Sequence, residues 1–164
     1  QSAPYRNFHS FMTPVGPFPS PRAWISVDAT FHNNTFRFIG THLDSDDAAT
    51  RELQGGELRT GPANTSLPII VAMDSNAPAP QAPTYVDFIN AGYSDVWSEI
   101  FPTMPGFTCC QPQLDERIDL ILTLGNVEAQ NAALFGTDQA SKTGGLFPSD
   151  HAGVAAQLVV ERTE

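Results

Sequence analysis

From Trp24 to Phe31 two kinds of position alternate: Trp24, Ser26, Asp28 and Thr30 fall on one side, and Ile25, Val27, Ala29 and Phe31 on the other. A period of two predicts a half-buried strand. Asn33-Asn34 follows, and Asn tolerates the positive φ of a tight turn. Phe36 to Thr41 reads as the returning strand of a hairpin, with His42 at its end. Residues 46–60 predict a helix opening near Asp46 or Asp47 and weakened later by Gly55-Gly56. Pro68 then opens the run Ile69-Ile70-Val71-Ala72-Met73, which suits a central strand buried on both faces and ends at Asp74-Ser75-Asn76. Residues 84–91 read as a short helix stopped by Gly92. Residues 117–123 predict a core strand interrupted by Asp119, residues 126–134 an edge strand, and Ala152 to Val160 a last strand entered from Ser149-Asp150-His151. Residues 1–22 hold five prolines and little periodicity, and read as an irregular lead-in. The expected fold class is α/β (α+β), a layered domain over residues 23–164 with a mixed or antiparallel sheet and flanking helices.

The 164 residues suffice for one domain with a real core. No apolar run of about 18 residues occurs, so no membrane span is expected, and the start carries no signal-peptide pattern. The chain opens on Gln1 rather than Met, and an upstream segment is expected to have been cut away or left out. The formal net charge of -10, with Lys142 the one lysine, disfavours a protein that grips long nucleic acid by its own charge. It fits recruitment of a divalent metal, a small or neutral substrate, or simple solubility. Cys109-Cys110 is the only cysteine pair, so neither a disulfide framework nor zinc-ligand spacing is present. Two reduced, partly buried thiols are expected in preference to a strained vicinal disulfide. The compartment stays open. Asn33-Asn34-Thr35 and Asn64-Thr65-Ser66 match the glycosylation sequon, which matters only in a secreted eukaryotic protein.

The chemistry lies where polar residues interrupt apolar strands: His42, Asp74 with Asn76, Asp119, and Asp150 with His151. Each alone has an ordinary explanation: a satisfied core histidine, a turn after a strand, a partner for Arg117 or Arg59, a turn cap. Four such clusters at strand boundaries instead predict one rim where strand ends converge, because a buried charge costs several kcal/mol unless it is paired or binds a metal.

Four strings in order, Phe38-Ile39-Gly40-Thr41-His42-Leu43, Ile70-Val71-Ala72-Met73-Asp74-Ser75-Asn76, Glu116-Arg117-Ile118-Asp119-Leu120-Ile121-Leu122 and Ser149-Asp150-His151-Ala152-Gly153-Val154, carry a family resemblance over residues 22–160. They resemble the endonuclease/exonuclease/phosphatase superfamily, which includes DNase-type nucleases, abasic endonucleases, inositol polyphosphate phosphatases and sphingomyelinases. Its patterns are Thr-His-Leu, Gly-Asp-Phe-Asn, Arg-Ile-Asp-Tyr-Ile and Ser-Asp-His. The resemblance implies in-line attack of water on phosphorus with a divalent ion, Mg²⁺ or Mn²⁺ with Ca²⁺ as a further candidate. It implies His151 as general base or electrostatic partner, oriented by Asp119 or Asp150. It further implies Asp74 and Asn76 positioning water and a phosphoryl oxygen, His42, Asn76 and Arg117 binding the phosphate-ester substrate, and Asp150 as a metal ligand.

Two departures qualify this. The family's metal-binding Asn and Glu lie on strands of an N-terminal half, and no Gln-Glu strand-end motif precedes residue 22. Gly-Asp-Phe-Asn reads Met73-Asp74-Ser75-Asn76 here. The family fold pairs two sheets, one from each half, so a C-terminal half is expected to expose an apolar sheet face and to find a homodimer partner or a complementing N-terminal fragment. The alternatives are a truncated non-catalytic binding or assembly module and a metal-independent ester hydrolase. A serine version of the latter lacks a Gly-x-Ser-x-Gly elbow, and contiguous Ser149-Asp150-His151 cannot form a triad.

Overall fold

A computed structural model describes residues 1–161. The strands are β1 (Ser2–Pro4), β2 (His9–Thr13), β3 (Gly16–Ser20), β4 (Ala23–Phe31), β5 (Asn34–His42), β6 (Ile69–Asp74), β7 (Ser94–Asp95), β8 (Asp119–Leu124), β9 (Val127–Phe135) and β10 (Gly153–Val160). The helices are α1 (Ala48–Thr60), α2 (Pro83–Asn90) and α3 (Val96–Ile100). Six strands form one mixed sheet in the order β1-β4-β5-β6-β8-β7, in which only β5 and β6 run parallel. β9 and β10 form a second, two-stranded sheet, and β2 and β3 a separate hairpin. This is the expected layered α/β arrangement.

The parallel β5–β6 pair requires a crossover, and α1 supplies it. Asp47 caps α1 by accepting the Thr50 N–H at 2.7 Å, which satisfies an N–H that the first helical turn leaves orphaned. α1 and α2 cover one face of the main sheet. Ile39, Val71, Met73, Leu120 and Leu122 from the strands meet Leu58, Tyr85 and Phe88 from the helices in the principal core.

The opposite face is only half covered. Beneath β9, β10 and α3, Ile121 packs with Val96, Trp97, Ala132, Leu134 and Leu158. Over β4 and β5 nothing lies on it among the described residues: Ile25, Val27, Phe31 and Phe38 stand exposed. A groove lined by Phe31, Phe36, Ile70, Leu158 and Val160 marks the boundary of the covered half.

The lead-in departs from its reading as irregular. β1 pairs with β4, and β2–β3 is a regular hairpin. The prolines misled because they sit where the ladder does not need their N–H, on an edge strand and in an isolated two-stranded hairpin. The turn between β4 and β5 is one residue earlier than expected, with positive φ at His32 and Asn33. Asp119 begins β8 instead of interrupting it.

Candidate functional site

Strand register assembles the site. His42 is opposite Asp74, and Asp74 is opposite Asp119, across β5, β6 and β8. Residues in register share a face, so three residues scattered through the sequence stand in a row at one end of the half-covered face. His151 joins them from the segment entering β10. Its Nδ1 is 2.8 Å from Asp119 Oδ2 and 4.0 Å from Asp74 Oδ2. His42 Nε2 is 3.4 Å from Asp74 Oδ2.

Local structure fixes each group. Asn76 holds a positive φ of 47° and its N–H donates to Asp74 Oδ1 at 3.0 Å, an Asx-type turn that arrests β6. Its side-chain amide donates to the Leu43 carbonyl at 3.0 Å, and that carbonyl also lies 2.8 Å from His42 Nδ1. Ser75 is buried and its hydroxyl donates to the Ile118 and Ala77 carbonyls, the first of which ties the β6 end to the β8 start.

Burial disfavours a charged His151, but the bond to Asp119 and the negative charges of Asp119, Asp74 and Asp150 outweigh it, so its pKa lies above the ordinary imidazole value. Burial also pushes Asp119 upward, against the lowering effect of bonds from Thr108 and His151. The two directions oppose each other, since an ion pair would lower Asp119. The three carboxylates around the imidazole favour keeping the proton on His151. Asp74, Asp119 and His151 each place a ligand atom within 4.8 Å of the others. The two carboxylates are the donors of this set that suit a hard divalent cation.

Two expected site residues are placed elsewhere. Arg117 is buried with its guanidinium turned to Asp95, Nη1 to Oδ2 at 2.7 Å, and to Ser98. It forms a core ion pair and is not among the residues that meet in the His42–Asp74–Asp119–His151 row. Asp150, the expected metal ligand, is exposed and lies outside the Asp74–Asp119–His151 donor set, although its charge acts on His151. The cysteines also differ from expectation, being joined as a vicinal disulfide beside His151.

The sequence pattern missed two positioning residues. Arg51 of α1 donates to the Asn76 carbonyl and to that of Asp44, clamping the loop after β6. Buried Thr108 accepts the Ile118 and Asp119 N–H groups through Oγ1, both at 3.1 Å, and its carbonyl accepts the Ala152 N–H. It therefore ties Asp119 to the residue that follows His151. Neither residue lies in a strand-end motif that could have flagged it.

No family model and no curated protein matches the chain. Solved structures do. A mannosyl-6-phosphatase of Bacteroides thetaiotaomicron aligns over 97% of this chain and 66% of its own, with TM-score 0.70 and 18% identity. D. rerio TDP2, solved with a single-strand DNA product, aligns over 85% of this chain and 62% of its own, with TM-score 0.65 and 21% identity. An endonuclease/exonuclease/phosphatase family protein of Bacteroides thetaiotaomicron aligns over 95% of this chain and 63% of its own, with TM-score 0.68 and 19% identity. The chain has the endonuclease/exonuclease/phosphatase fold. It spans less than two thirds of the length of each of these structures, 66% of the first, 62% of the second and 63% of the third. No helix among the described residues is long and apolar enough to cross a membrane.

Proposed function

We propose that the protein is a metal-dependent phosphoesterase that hydrolyses a phosphate ester with an activated water at the His42–Asp74–Asp119–His151 rim. The observation that carries this reading is the Asp119–His151 pair at 2.8 Å, adjoining a second carboxylate and a second imidazole on one sheet face. Among solved structures of the same fold are a mannosyl-6-phosphatase and TDP2 with a single-strand DNA product, which supports a phosphate-ester substrate.

Asp119 holds the His151 ring in one orientation and raises its affinity for a proton, which suits donation to a phosphoryl oxygen or proton exchange with water. His42 and the Asn76 amide present hydrogen-bond donors beside the same carboxylates, where they bind and orient the ester. Asp74 takes the place of a water-positioning group. Asp74 and Asp119 would hold Mg²⁺ or Mn²⁺ through carboxylate oxygens, and the ion would neutralise charge on the phosphoryl group. The acidic surface favours a small phosphate ester over long nucleic acid. The bare apolar face over β4 and β5 fits a complementing N-terminal segment or a second copy of the chain, and the same face supports the alternative of a non-catalytic assembly module.

The test is hydrolysis of bis-(p-nitrophenyl) phosphate and p-nitrophenyl phosphate with Mg²⁺ or Mn²⁺. Wild type, wild type with EDTA, and His151→Ala are compared. The expected result is turnover abolished by EDTA and reduced about 10²–10⁴-fold in His151→Ala. Turnover indifferent to both would point to another ester hydrolase. Absence of turnover in wild type would overturn the proposal in favour of the assembly module.

A further inference from the structure

The imidazole of His151 is the shared corner of two donor sets. One is the carboxylate set with Asp74 and Asp119. The other is Cys109, Cys110 and His151, whose ligand atoms also lie within 4.8 Å of one another. We propose that this second set is a thiophilic metal site that opens when the cysteine pair is reduced and takes a soft d¹⁰ cation such as Zn²⁺ or Cu⁺.

The segment bearing the cysteines is held from both sides. Cys109 bridges Glu116 and His151. Its N–H donates to the Glu116 carbonyl at 2.9 Å, its carbonyl accepts the Asp115 and Glu116 N–H groups, and the Gln111 N–H reaches the Asp150 carbonyl at 2.7 Å. Backbone hydrogen bonds therefore hold the cysteine-bearing segment beside His151. Cys109 is buried, whereas Cys110 is exposed and gives a reductant and an ion a way in.

The chemistry of the two sets separates their ions. Carboxylates favour hard Mg²⁺ or Mn²⁺, and thiolates with imidazole favour Zn²⁺ and Cu⁺. A dithiol or phosphine reductant breaks the Cys109–Cys110 bond by supplying two electrons, and two protons complete the thiols. The dithiol leaves as its disulfide, the phosphine as its oxide with oxygen from water. Binding of the cation then forms two metal–sulfur bonds and one metal–nitrogen bond and releases the two thiol protons. A fourth position is left for water. The ion also occupies a lone pair of His151, so the soft site and proton transfer at His151 exclude one another. Reduction together with a soft metal would thus shut the neighbouring centre.

The full chain is reduced with a phosphine, desalted without oxygen and titrated with Co²⁺. Thiolate-to-cobalt charge transfer reports sulfur ligation and does not depend on turnover, so failure of the phosphoesterase assay leaves the result intact. The expected outcome is a charge-transfer band saturating at one equivalent. It should be absent from oxidised protein, lost in Cys110→Ser, and weakened in affinity by roughly an order of magnitude in His151→Ala. Zn²⁺ should displace the Co²⁺. Circular dichroism and a urea midpoint check that the variants fold, and iodoacetamide capping of reduced wild type at exposed Cys110 gives a mutation-free control. The proposal is overturned if reduced wild type with two titratable thiols shows no such band. A band of undiminished affinity in His151→Ala likewise overturns it.

Discussion

Arg117→Met is expected to be a stability variant, not a binding variant. Arg117 and Asp95 are 5% and 4% exposed, and their 2.7 Å contact is the most deeply buried ion pair among the described residues. Asp95 also accepts from Tyr85 Oη, Ser98 Oγ and the Trp97 N–H at 2.8, 2.8 and 3.1 Å. Burial and the Asp95 charge both raise the Tyr85 pKa, so its hydroxyl keeps the donating proton. Removing one partner of a buried pair costs about 3–5 kcal/mol, because a charge is left behind without its counter-ion. Three neutral donors remain on Asp95 here, which places the expected loss near the lower end, about 3 kcal/mol. For a chain of this length that corresponds to a fall in Tm of roughly 6–12 °C. Urea unfolding followed by tryptophan fluorescence reads the change, since Trp97 packs beside the pair. Replacing both residues, Arg117→Met with Asp95→Leu, should recover part of the loss by removing the stranded charge. An unchanged urea midpoint in Arg117→Met, with KM for a phosphate ester raised instead, would refute the structural reading and restore Arg117 to the substrate.

Three further outcomes are expected. The His151 ring should titrate above about 6.5, the unperturbed imidazole value, and Asp119→Asn should lower the midpoint in an NMR pH series. Because the folded ring binds its proton more tightly than the unfolded one, this stabilisation is complete below the unfolded value and is lost as pH rises through the folded value. A midpoint that does not move in Asp119→Asn would show that the contact does not set the ring's proton affinity. Asp47→Ala removes the α1 cap and should cost about 1 kcal/mol in urea unfolding, whereas Asp46→Ala, beside it, should cost less. Val27→Glu places a charge on the bare sheet face. Sedimentation velocity should show wild type associating with itself or with an N-terminal fragment, and the variant not, while wild type that stays monomeric and ignores such a fragment would count against the docking role of that face.

Most of the elements were legible in the sequence because each carried its own periodicity. The alternation in β4, the continuous apolar run of β6 and the helical stretch of α1 depend on local pattern and burial alone. The strand-end motifs also marked His42, Asp74, Asn76, Asp119 and His151, because a polar residue that ends an apolar strand stands out along one dimension. Register was not legible. Only pairing of β5 with β6 and of β6 with β8 sets His42, Asp74 and Asp119 in one row, and a slip of one residue would turn the slipped strand's group to the other face.

Tertiary structure alone also separated Arg117 from Asp119, two residues apart in one motif. One side chain enters the core against Asp95 and the other faces His151. A motif read in sequence assigns both to the site, and positions two apart along a strand share a face, so it is the neighbour packed against each, Asp95 for Arg117 and His151 for Asp119, that separates them. The strands of residues 1–20 stayed hidden for a related reason. Their prolines argue against sheet in general, and only the location of a particular strand, at an edge or in a lone hairpin, makes a missing N–H harmless. The sequence by itself marked the polar strand-end residues that could carry chemistry and, beyond residue 22, most of the segments that had to be strands. The long-range pairing of those strands, set by burial and hydrogen bonding that no local window contains, decided which of the residues meet.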